Sequence, residues 1–183
     1  MSCKYYITAS LLNSWQYNLN NGTLEDFVKV LNKEEFEPTD AILKGFAFEK
    51  YMQENCLETS GGSYQVKLSK ECGDYLLYGI VDCLKGGIIY DYKFSGSYEV
   101  GKFYKNYQTA MYLALVPEAR KMIYLITNKF DEDNEVTGDL FREEYDRYEI
   151  IEPIEITVNK FINWLKQMNL YTLYIEKWRC KNE

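Results

Sequence analysis

Two aspartates and a lysine flank a glycine pair in an otherwise apolar stretch of the chain. Asp82 precedes Gly86-Gly87, and Asp91 and Lys93 follow them. Glycine tolerates the positive φ angles that a two-residue hairpin turn requires, so the pair predicts a tight β-hairpin. Counting outward from the turn places Asp82 directly opposite Asp91, with the two Cβ atoms about 5 Å apart.

Two carboxylates this close repel each other unless a cation lies between them. A divalent metal is the natural occupant, and oxygen ligands suit Mg²⁺ or Mn²⁺, which also accept phosphate oxygens. The two-residue period of a strand puts Lys93 on the face of Asp91 and turns Tyr92 to the other face. An ammonium group there can hold a metal-bound water and stabilise negative charge that develops at phosphorus. The alternative, that Asp91 and Lys93 are only neighbours on an exposed strand, leaves Asp82 unexplained.

Composition narrows the possible chemistry further. The 183-residue chain contains no histidine, which excludes Ser-His-Asp and Cys-His nucleophile systems, His-ligated zinc and imidazole acid/base catalysis. The cysteines are odd in number and form no CxxC pair, a pattern typical of a reducing compartment and not of a zinc ribbon or a disulfide scaffold. We therefore expect a cytoplasmic protein. The five cysteines are Cys3, Cys56, Cys72, Cys83 and Cys180.

The elements that must position these residues follow from periodicity. A chain of this length with 46% hydrophobic residues can bury a core without disulfides, and no linker or repeat divides it, so residues 1–183 are expected to form a single domain. The predicted N-terminal helices are Ala9–Leu19, Leu24–Leu31 and Asp40–Asn55. The predicted strands of an antiparallel three-strand meander are Tyr64–Leu68, Tyr75–Cys83 and Ile88–Phe94.

The later half of the chain alternates between helical and strand periods. A helix is predicted at Lys102–Leu115, strands at Met122–Thr127 and Leu140–Ile150, and a closing helix at Thr157–Glu176. The predicted fold class is α/β, a mixed sheet that contains the meander and is flanked by helices. No run of about 18 apolar residues and no secretory leader pattern is present, so neither membrane association nor secretion is expected.

Several short motifs resemble those of the RecB-like branch of the PD-(D/E)xK nucleases, in the family's order and spacing. Together they extend from about Thr8 to Tyr112. They are the GxxD-like Gly79–Asp82, the (D/E)xK-like Asp91–Lys93, the QxxxY-like Gln108–Tyr112, the acidic-ended helix motif Gly45–Glu49, and the Ser-containing start Thr8–Leu12.

The resemblance implies a restriction-endonuclease-like core with a metal site in it. It implies that Glu49, Asp82, Asp91 and the backbone carbonyl of Tyr92 bind the metal and that Lys93 is the catalytic cation. It also implies that Gln108 and Tyr112 line the site from the following helix. Their i, i+4 spacing agrees, because it places both on one helical face, together with Tyr104. The alternatives are a solvated Glu49 and a core-facing helix for Gln108 and Tyr112.

Some relatives in this family hold an iron–sulfur cluster with one cysteine before the nuclease motifs and three grouped near the C-terminus. Here Cys3 and Cys180 stand alone at the two ends of the chain. No cluster can be assembled from this spacing, so no iron–sulfur centre is expected.

Charge is distributed unevenly along the chain, whose net charge is −7. Residues 85–129 contain seven basic and three acidic residues, a balance of +4, whereas residues 131–155 contain eleven acidic and two basic residues, a balance of −9. The basic segment predicts the phosphate contacts Lys102, Lys105, Arg120 and Lys121, with Lys102 and Lys105 at the start of the helix that carries Gln108. Tyr104 and its neighbours Tyr98, Tyr107 and Tyr112 are candidates to stack on bases or, alternatively, to fill the core.

The function that the resemblance implies is a Mg²⁺- or Mn²⁺-dependent DNA nuclease. An exonuclease in recombination, repair or a phage or mobile-element context is favoured, with DNA as partner, possible contact with a recombination or replication protein, and possible oligomerisation. A structure-specific endonuclease is the alternative within the enzyme class. The acidic segment keeps a second alternative open, a catalytically idle nuclease-like inhibitor that binds a protein.

Overall fold

A six-stranded mixed sheet forms the centre of the molecule. The computed structural model describes residues 4–131, 136–150 and 152–180. The strands are β1 (Tyr5–Thr8), β2 (Ser63–Cys72), β3 (Tyr75–Lys85), β4 (Ile88–Phe94), β5 (Lys121–Thr127) and β6 (Leu140–Asp146). Their order is β1-β3-β4-β5-β6, with β2 paired to β3. The pairs β2/β3, β3/β4 and β5/β6 are antiparallel, whereas β1/β3 and β4/β5 are parallel. The predicted mixed sheet with its three-strand meander is confirmed.

Helices cover both faces of this sheet. They are α1 (Ala9–Asn20), α2 (Leu24–Leu31), α3 (Asp40–Asn55), α4 (Tyr107–Leu115), α5 (Ile154–Gln167) and α6 (Tyr171–Lys177). The first three begin close to their predicted starts because a threonine caps each of them. The hydroxyls of Thr8, Thr23 and Thr39 accept hydrogen bonds from backbone N–H groups of the first turn. No helix among the described residues has the length and apolar character needed to cross a membrane.

The predicted helix Lys102–Leu115 is wrong in its first five residues. Gly101 adopts a φ of +83° and directs the chain through successive turns. Asn106 then caps α4, its side chain accepting a hydrogen bond from the backbone N–H of Gln108. Lys102 and Lys105 therefore lie in the loop before the helix and not on it.

Two further boundaries differ from the sequence expectation. The predicted closing helix Thr157–Glu176 is two helices, because Asn169 adopts a left-handed φ of 58° between α5 and α6. The predicted strand Leu140–Ile150 ends at Asp146. There the Arg147 guanidinium donates hydrogen bonds to the carbonyls of Val116 and Ala119, and the chain turns into a short 3₁₀ helix.

The apolar core has two parts, one on each face of the sheet. The larger contains Leu12, Ile89 and Met111 and is covered by α1, α4 and α5. The smaller contains Phe48 and Tyr90 and is covered by α3. Adjacent residues of β4 belong to different parts, as the two-residue strand period requires.

One edge of β3 carries a gap that positions the chemistry. On this edge β1 pairs with Tyr75–Tyr78, and β4 pairs with Cys83–Lys85. No strand of the described chain pairs with the segment between them, Gly79–Asp82, called here the β3 gap; β2 occupies the opposite edge. Helix α4 partly fills the gap, since the Tyr112 hydroxyl donates to the Ile80 carbonyl at 2.7 Å. A Cβ on Gly79 would lie 2.7 Å from the Tyr112 ring, so this close approach requires glycine.

Candidate active site

The predicted hairpin forms and delivers its acidic residues to the β3 gap. Gly86 and Gly87 both adopt positive φ, 58° and 71°, as a primed turn requires. The predicted register holds as far as the pair Cys83 and Tyr90, but the ladder ends there, one pair before Asp82 and Asp91. The direct pairing of the two aspartates is therefore wrong. Beyond Cys83 and Tyr90 the backbone N–H of Tyr92 bonds to the Asp82 side chain, while β4 stays paired with β5 along its other edge.

Asp91 is the most deeply buried residue of the candidate site. Its side chain is fully buried, and its Oδ2 lies 2.6 Å from the Lys93 ammonium, as the shared strand face predicted. Gln108 of α4 donates a hydrogen bond from Nε2 to Asp91 Oδ1 at 2.6 Å. The predicted face of α4 is therefore confirmed for Gln108, and Tyr112, one turn later, contacts the β3 gap.

Asp82 lies where the two strands separate. Its Oδ2 accepts a hydrogen bond from the backbone N–H of Tyr92 at 2.9 Å, in the position where a main-chain carbonyl of β3 would continue the ladder. The Tyr92 side chain points to the opposite face, as expected, and its hydroxyl donates to Thr59 Oγ1. The carboxylate of Asp82 thus marks the end of the paired segment and faces the site.

Glu49 reaches the site from α3 on the other side of the gap. Its Oε1 accepts hydrogen bonds from Gln53, one turn later at 3.0 Å, and from Gln65 of β2. The preceding residue, Phe48, is fully buried under the sheet and fixes the orientation of the helix. Gln65 has a left-handed φ of 51°, and nothing in its sequence context distinguishes it from an ordinary strand residue.

The three carboxylates are electrostatically unfavourable as they stand. Burial, and then the charge of Asp91, raises the pKa of Asp82 to about 8. Burial raises the pKa of Asp91 despite the opposing effect of Lys93, and burial and the Asp91 charge raise the pKa of Glu49. Burial opposes ionisation of Lys93, but the surrounding carboxylates outweigh it and raise its pKa. Without a further cation, the site therefore disfavours full ionisation of its three carboxyl groups.

The carboxylate oxygens of the candidate site are chemically suited to a hard divalent cation, although they do not form a complete coordination shell. No three acidic or cysteine side chains of the described residues are arranged as a complete metal site. Yet Oδ2 of Asp91 is buried and accepts no well-aligned hydrogen bond within the described chain, in spite of its ionic contact with Lys93. A buried carboxylate oxygen whose one close partner in the described chain is an ammonium, beside two further carboxylates, belongs to a donor set that Mg²⁺ or Mn²⁺ prefers.

The predicted phosphate contacts do not form one continuous surface. Lys102 lies near the end of β4, where its ammonium donates to Ser95 Oγ at 2.7 Å. Arg120 and Lys121 lie at the start of β5, beside the hairpin turn, and Lys121 is paired with Glu144. The seven residues of β4 separate the two groups by roughly 20 Å. Lys105 is exposed in the loop before α4.

The predicted stacking tyrosines are mostly engaged inside the protein. Tyr104 is not on the Gln108 face of α4; it lies in the preceding loop and packs against Tyr145. Tyr107 stacks on Trp15 with an interplanar angle of 16°, and the Tyr98 hydroxyl donates to Glu143. These contacts favour the core-filling alternative for Tyr98 and Tyr107, whereas Tyr104 remains 47% exposed.

The acidic segment 131–155 is not a uniform surface in its described part, from which residues 132–135 and 151 are excluded. Glu143 is buried and accepts hydrogen bonds from inside the protein. Glu144 pairs with Lys121 and Arg142, and Glu152 pairs with Lys160. Several of the charges that suggested a protein-binding surface are therefore neutralised internally.

A cleft opens onto the site from the N-terminal end of α1. It is lined by Thr8, Ser10, Tyr78, Ile80, Lys93 and Tyr112, among others. Asn13 of α1 also lines it and fixes α4 in place, donating to Asn106 Oδ1 at 2.6 Å and accepting from the Tyr107 backbone N–H at 3.0 Å. Asn13 carries no motif, and its positioning role follows only from the packing of α1 on α4.

No protein-family model matches the chain, and no curated protein matches its sequence. Solved structures do match its fold. LHK-Exo, solved in complex with dAMP, superposes with a TM-score of 0.59 at 14% identity, over 91% of this chain and 90% of that one. The protein SSO0001 gives a TM-score of 0.58 at 18% identity, over 90% of this chain and 77% of that one. A phage-related exonuclease from Haemophilus somnus 129PT gives 0.52 at 14% identity, over 90% and 97%.

At these identities the likeness establishes the fold. The chain therefore shares its fold with solved exonuclease structures, as the resemblance to the RecB-like PD-(D/E)xK nucleases implied. The mixed α/β architecture with its meander is the one that the resemblance implied.

Proposed function

We propose that the protein is a Mg²⁺- or Mn²⁺-dependent deoxyribonuclease that hydrolyses phosphodiester bonds as an exonuclease. One observation carries the proposal: buried Asp91 lies between Lys93 and Gln108 at a gap in the sheet that Asp82 and Glu49 also face. The exonuclease structures that share the fold support the reaction class.

Glu49, Asp82, Asp91 and the carbonyl of Tyr92 are the groups that would hold the cation. When bound, a divalent ion lowers the pKa of a coordinated water and offsets negative charge on the phosphate. The raised pKa values of the three carboxylates support this assignment, because each carboxylate is buried or crowded in a way that favours the arrival of positive charge.

Lys93 has a different role from the carboxylates. Its ammonium lies on the cleft side of Asp91 and remains protonated near neutral pH, since the carboxylates raise its pKa. It stabilises the negative charge that develops on the phosphate as water attacks. Gln108 holds Asp91 in place by its hydrogen bond, and Tyr112 shapes the cleft wall by bonding to Ile80.

The reaction is tested by incubating the protein with end-labelled linear DNA and with nicked circular DNA in Mg²⁺, Mn²⁺ or EDTA. We expect mononucleotides from linear DNA in the presence of either metal, with 5′ and 3′ labels released at different rates, and no cleavage in EDTA. Linearisation of the circle, with fragments of defined length, would indicate an endonuclease. No cleavage under any condition would overturn the enzymatic proposal.

A further inference from the structure

One face of the sheet next to the candidate site is partly open. The parallel register of β1 and β3 places Thr8 beside Tyr78, and the antiparallel register of β2 and β3 places Lys67 beside Ile80. These side chains share a face because paired residues and alternate residues of a strand point the same way. Tyr78 and Ile80 are half-buried and Lys67 is exposed, whereas Leu77, the residue before Tyr78, is fully buried on the other face.

This open face continues directly from the site. The cleft at Lys93 and a second cleft lined by Tyr6, Lys33 and Trp178 share two residues, Thr8 and Tyr78. The two clefts adjoin at these residues and are together called the groove, which runs from Lys93, the ionic partner of Asp91, across β3 and β1. It ends where the chain leaves α2 and meets the C-terminal end of α6.

Aromatic rings and ammonium groups line the groove. The ring of Tyr6 lies edge-on to that of Tyr78, with centroids 5.6 Å apart. The Lys33 ammonium lies 4.4 Å from the centre of the Trp178 ring, a cation–π contact that holds this charge over the far end. Lys67 adds an exposed positive charge beside Ile80.

Glu71, one of the acidic residues on this face, lies at its margin. Glu71 of β2 is opposite Leu76, and its carboxylate is ion-paired with Lys4 at 2.5 Å. Its negative charge is therefore offset at the point where it would otherwise repel a phosphate.

We propose that this groove binds single-stranded DNA, with successive bases stacked on Tyr78 and Tyr6 and the backbone phosphates near Lys67 and Lys33. The inference rests on the proposed function, because it places the scissile phosphate of the same strand at Lys93. Rings on an open sheet face can stack on bases of any sequence, but only on bases that are not already stacked in a duplex. The groove thus selects a single strand over a duplex and extends substrate contact beyond the reacting phosphate.

The test measures binding of fluorescein-labelled decathymidylate by anisotropy in an Asp91→Asn background, where cleavage is blocked. Tyr78→Ala is expected to weaken binding about fivefold or more, the usual loss for one stacking ring. Tyr78→Phe, which keeps the ring, should bind within about twofold of the parent. Tyr148→Ala is the matched control, since this tyrosine is 84% exposed and lies in the turn after β6. Equal binding by the Tyr78→Ala and Tyr148→Ala variants would overturn the proposal.

A second measurement needs no substitution in the groove. Decathymidylate carrying 5-iodouracil is cross-linked by light to the Asp91→Asn protein, and the cross-linked peptide is identified by mass spectrometry. Attachment at Tyr6 or Tyr78 supports the groove, whereas attachment only at Tyr104 or Tyr107 overturns it, as does equal competition by duplex DNA of the same length.

The two proposals fail separately. If binding depends on Tyr78 but the wild-type protein cleaves no DNA, the groove proposal stands and the nuclease proposal is overturned. If the protein cleaves a long single strand and Tyr78→Ala leaves the KM unchanged, the nuclease proposal stands and the groove proposal is overturned.

Discussion

Two buried carboxylates of this molecule have opposite surroundings. Asp91 is fully buried and Glu143 is 7% exposed. Around Glu143 the contacts are donors: the Tyr98 hydroxyl and the Gly101 backbone N–H, each at 2.7 Å, and the Tyr145 hydroxyl. Around Asp91 there are two donors, Lys93 and Gln108, but the nearby carboxylates of Asp82 and Glu49 add like charge.

The pKa values differ accordingly. Burial opposes ionisation of Glu143, but its hydrogen bonds outweigh that effect and lower its pKa. At Asp91 burial outweighs the Lys93 ion pair, and the pKa is raised. A buried carboxylate whose hydrogen bonds are complete stabilises the fold, whereas one crowded by further carboxylates is a candidate site for a cation. The comparison thus sets a carboxylate with a structural role, Glu143, against Asp91, to which we assign a function.

The largest expected effect is on cleavage. Asp91→Asn or Lys93→Ala should reduce the rate by at least roughly a hundredfold, as removal of a group that stabilises transition-state charge does. Circular dichroism should show a retained fold for Asp91→Asn, because removing one of several crowded negative charges relieves repulsion. Lys93→Ala removes the ammonium that offsets those charges, so its rate is expressed per folded molecule. Glu143→Gln, assayed per folded molecule, should cleave at nearly the wild-type rate. An inactive Glu143→Gln variant together with an active Asp91→Asn variant would contradict the roles assigned to these two carboxylates.

The next effect is on stability. Glu143→Leu leaves two phenols and one backbone N–H without their acceptor, so the free energy of unfolding should fall by about 3 kcal/mol. Glu144→Gln is the matched control on the same strand. It removes only half-exposed ion pairs and should cost less than about 1 kcal/mol. Urea denaturation of both variants measures the difference in the free energy of unfolding. Equal losses in the two variants would contradict a structural role for Glu143.

Metal should stabilise the site of Asp91 and not that of Glu143. At a Mg²⁺ or Mn²⁺ concentration of about 100 times Kd, mass action raises the free energy of unfolding by about 2.7 kcal/mol. Thermal melting with and without EDTA should show this rise in the wild type and in Glu143→Gln, and its loss in Asp82→Asn. A melting temperature indifferent to both metals in the wild type would contradict the assigned ligands.

The pH dependence of stability should have opposite signs at the two carboxylate sites. The pKa of folded Asp82, about 8, exceeds the ordinary value of 3.8, so the metal-free protein should lose stability as pH rises from about 4 towards 8. The pKa of Glu143 is lowered, so its contribution is present above pH 4.5 and lost as pH falls through the folded value. Each group contributes a slope of at most about 1.4 kcal/mol per pH unit. Denaturation in EDTA at several pH values should show Asp82→Asn flattening the upper slope alone and Glu143→Gln the lower slope alone.

The smallest expected effect concerns the loop that joins the two regions. Glu143 anchors this loop at Tyr98 and Gly101, and its Lys102 contacts Ser95 beyond β4. If Lys102 neutralises one phosphate, Lys102→Ala should reduce the slope of log Kd against log salt by about one unit. Lys29→Ala, which removes an ammonium already paired on α2, is the control and should leave the slope unchanged. If Lys102→Ala leaves the salt dependence of Kd unchanged, Lys102 does not contact a phosphate, and the proposed DNA contacts are those of the groove and the candidate site.

Local sequence signals were sufficient for much of the framework. The Gly86-Gly87 turn was predictable because only a few residue types tolerate two successive positive φ angles. The strand period then placed Lys93 beside Asp91 and Tyr92 on the far face, as the structure has them. Three threonine caps similarly determined where the N-terminal helices begin. Each of these features depends on residues that are close along the chain.

Features that depend on distant residues were decided by the tertiary structure alone. The gap in the edge of β3 exists because β1 and β4, about 80 residues apart in sequence, share that edge without meeting. The hydrogen bond from Gln65 to Glu49, the anchoring of α4 by Asn13 and the burial of Glu143 join separate elements that no local pattern connects. The loop of Lys102 was mistaken for helix because its anchor, Glu143, lies more than 40 residues later in the chain. Periodicity along the sequence indicates on which side of its own helix or strand a residue lies. Whether a carboxylate on that side meets enough hydrogen-bond donors depends on the elements that the rest of the chain packs against it.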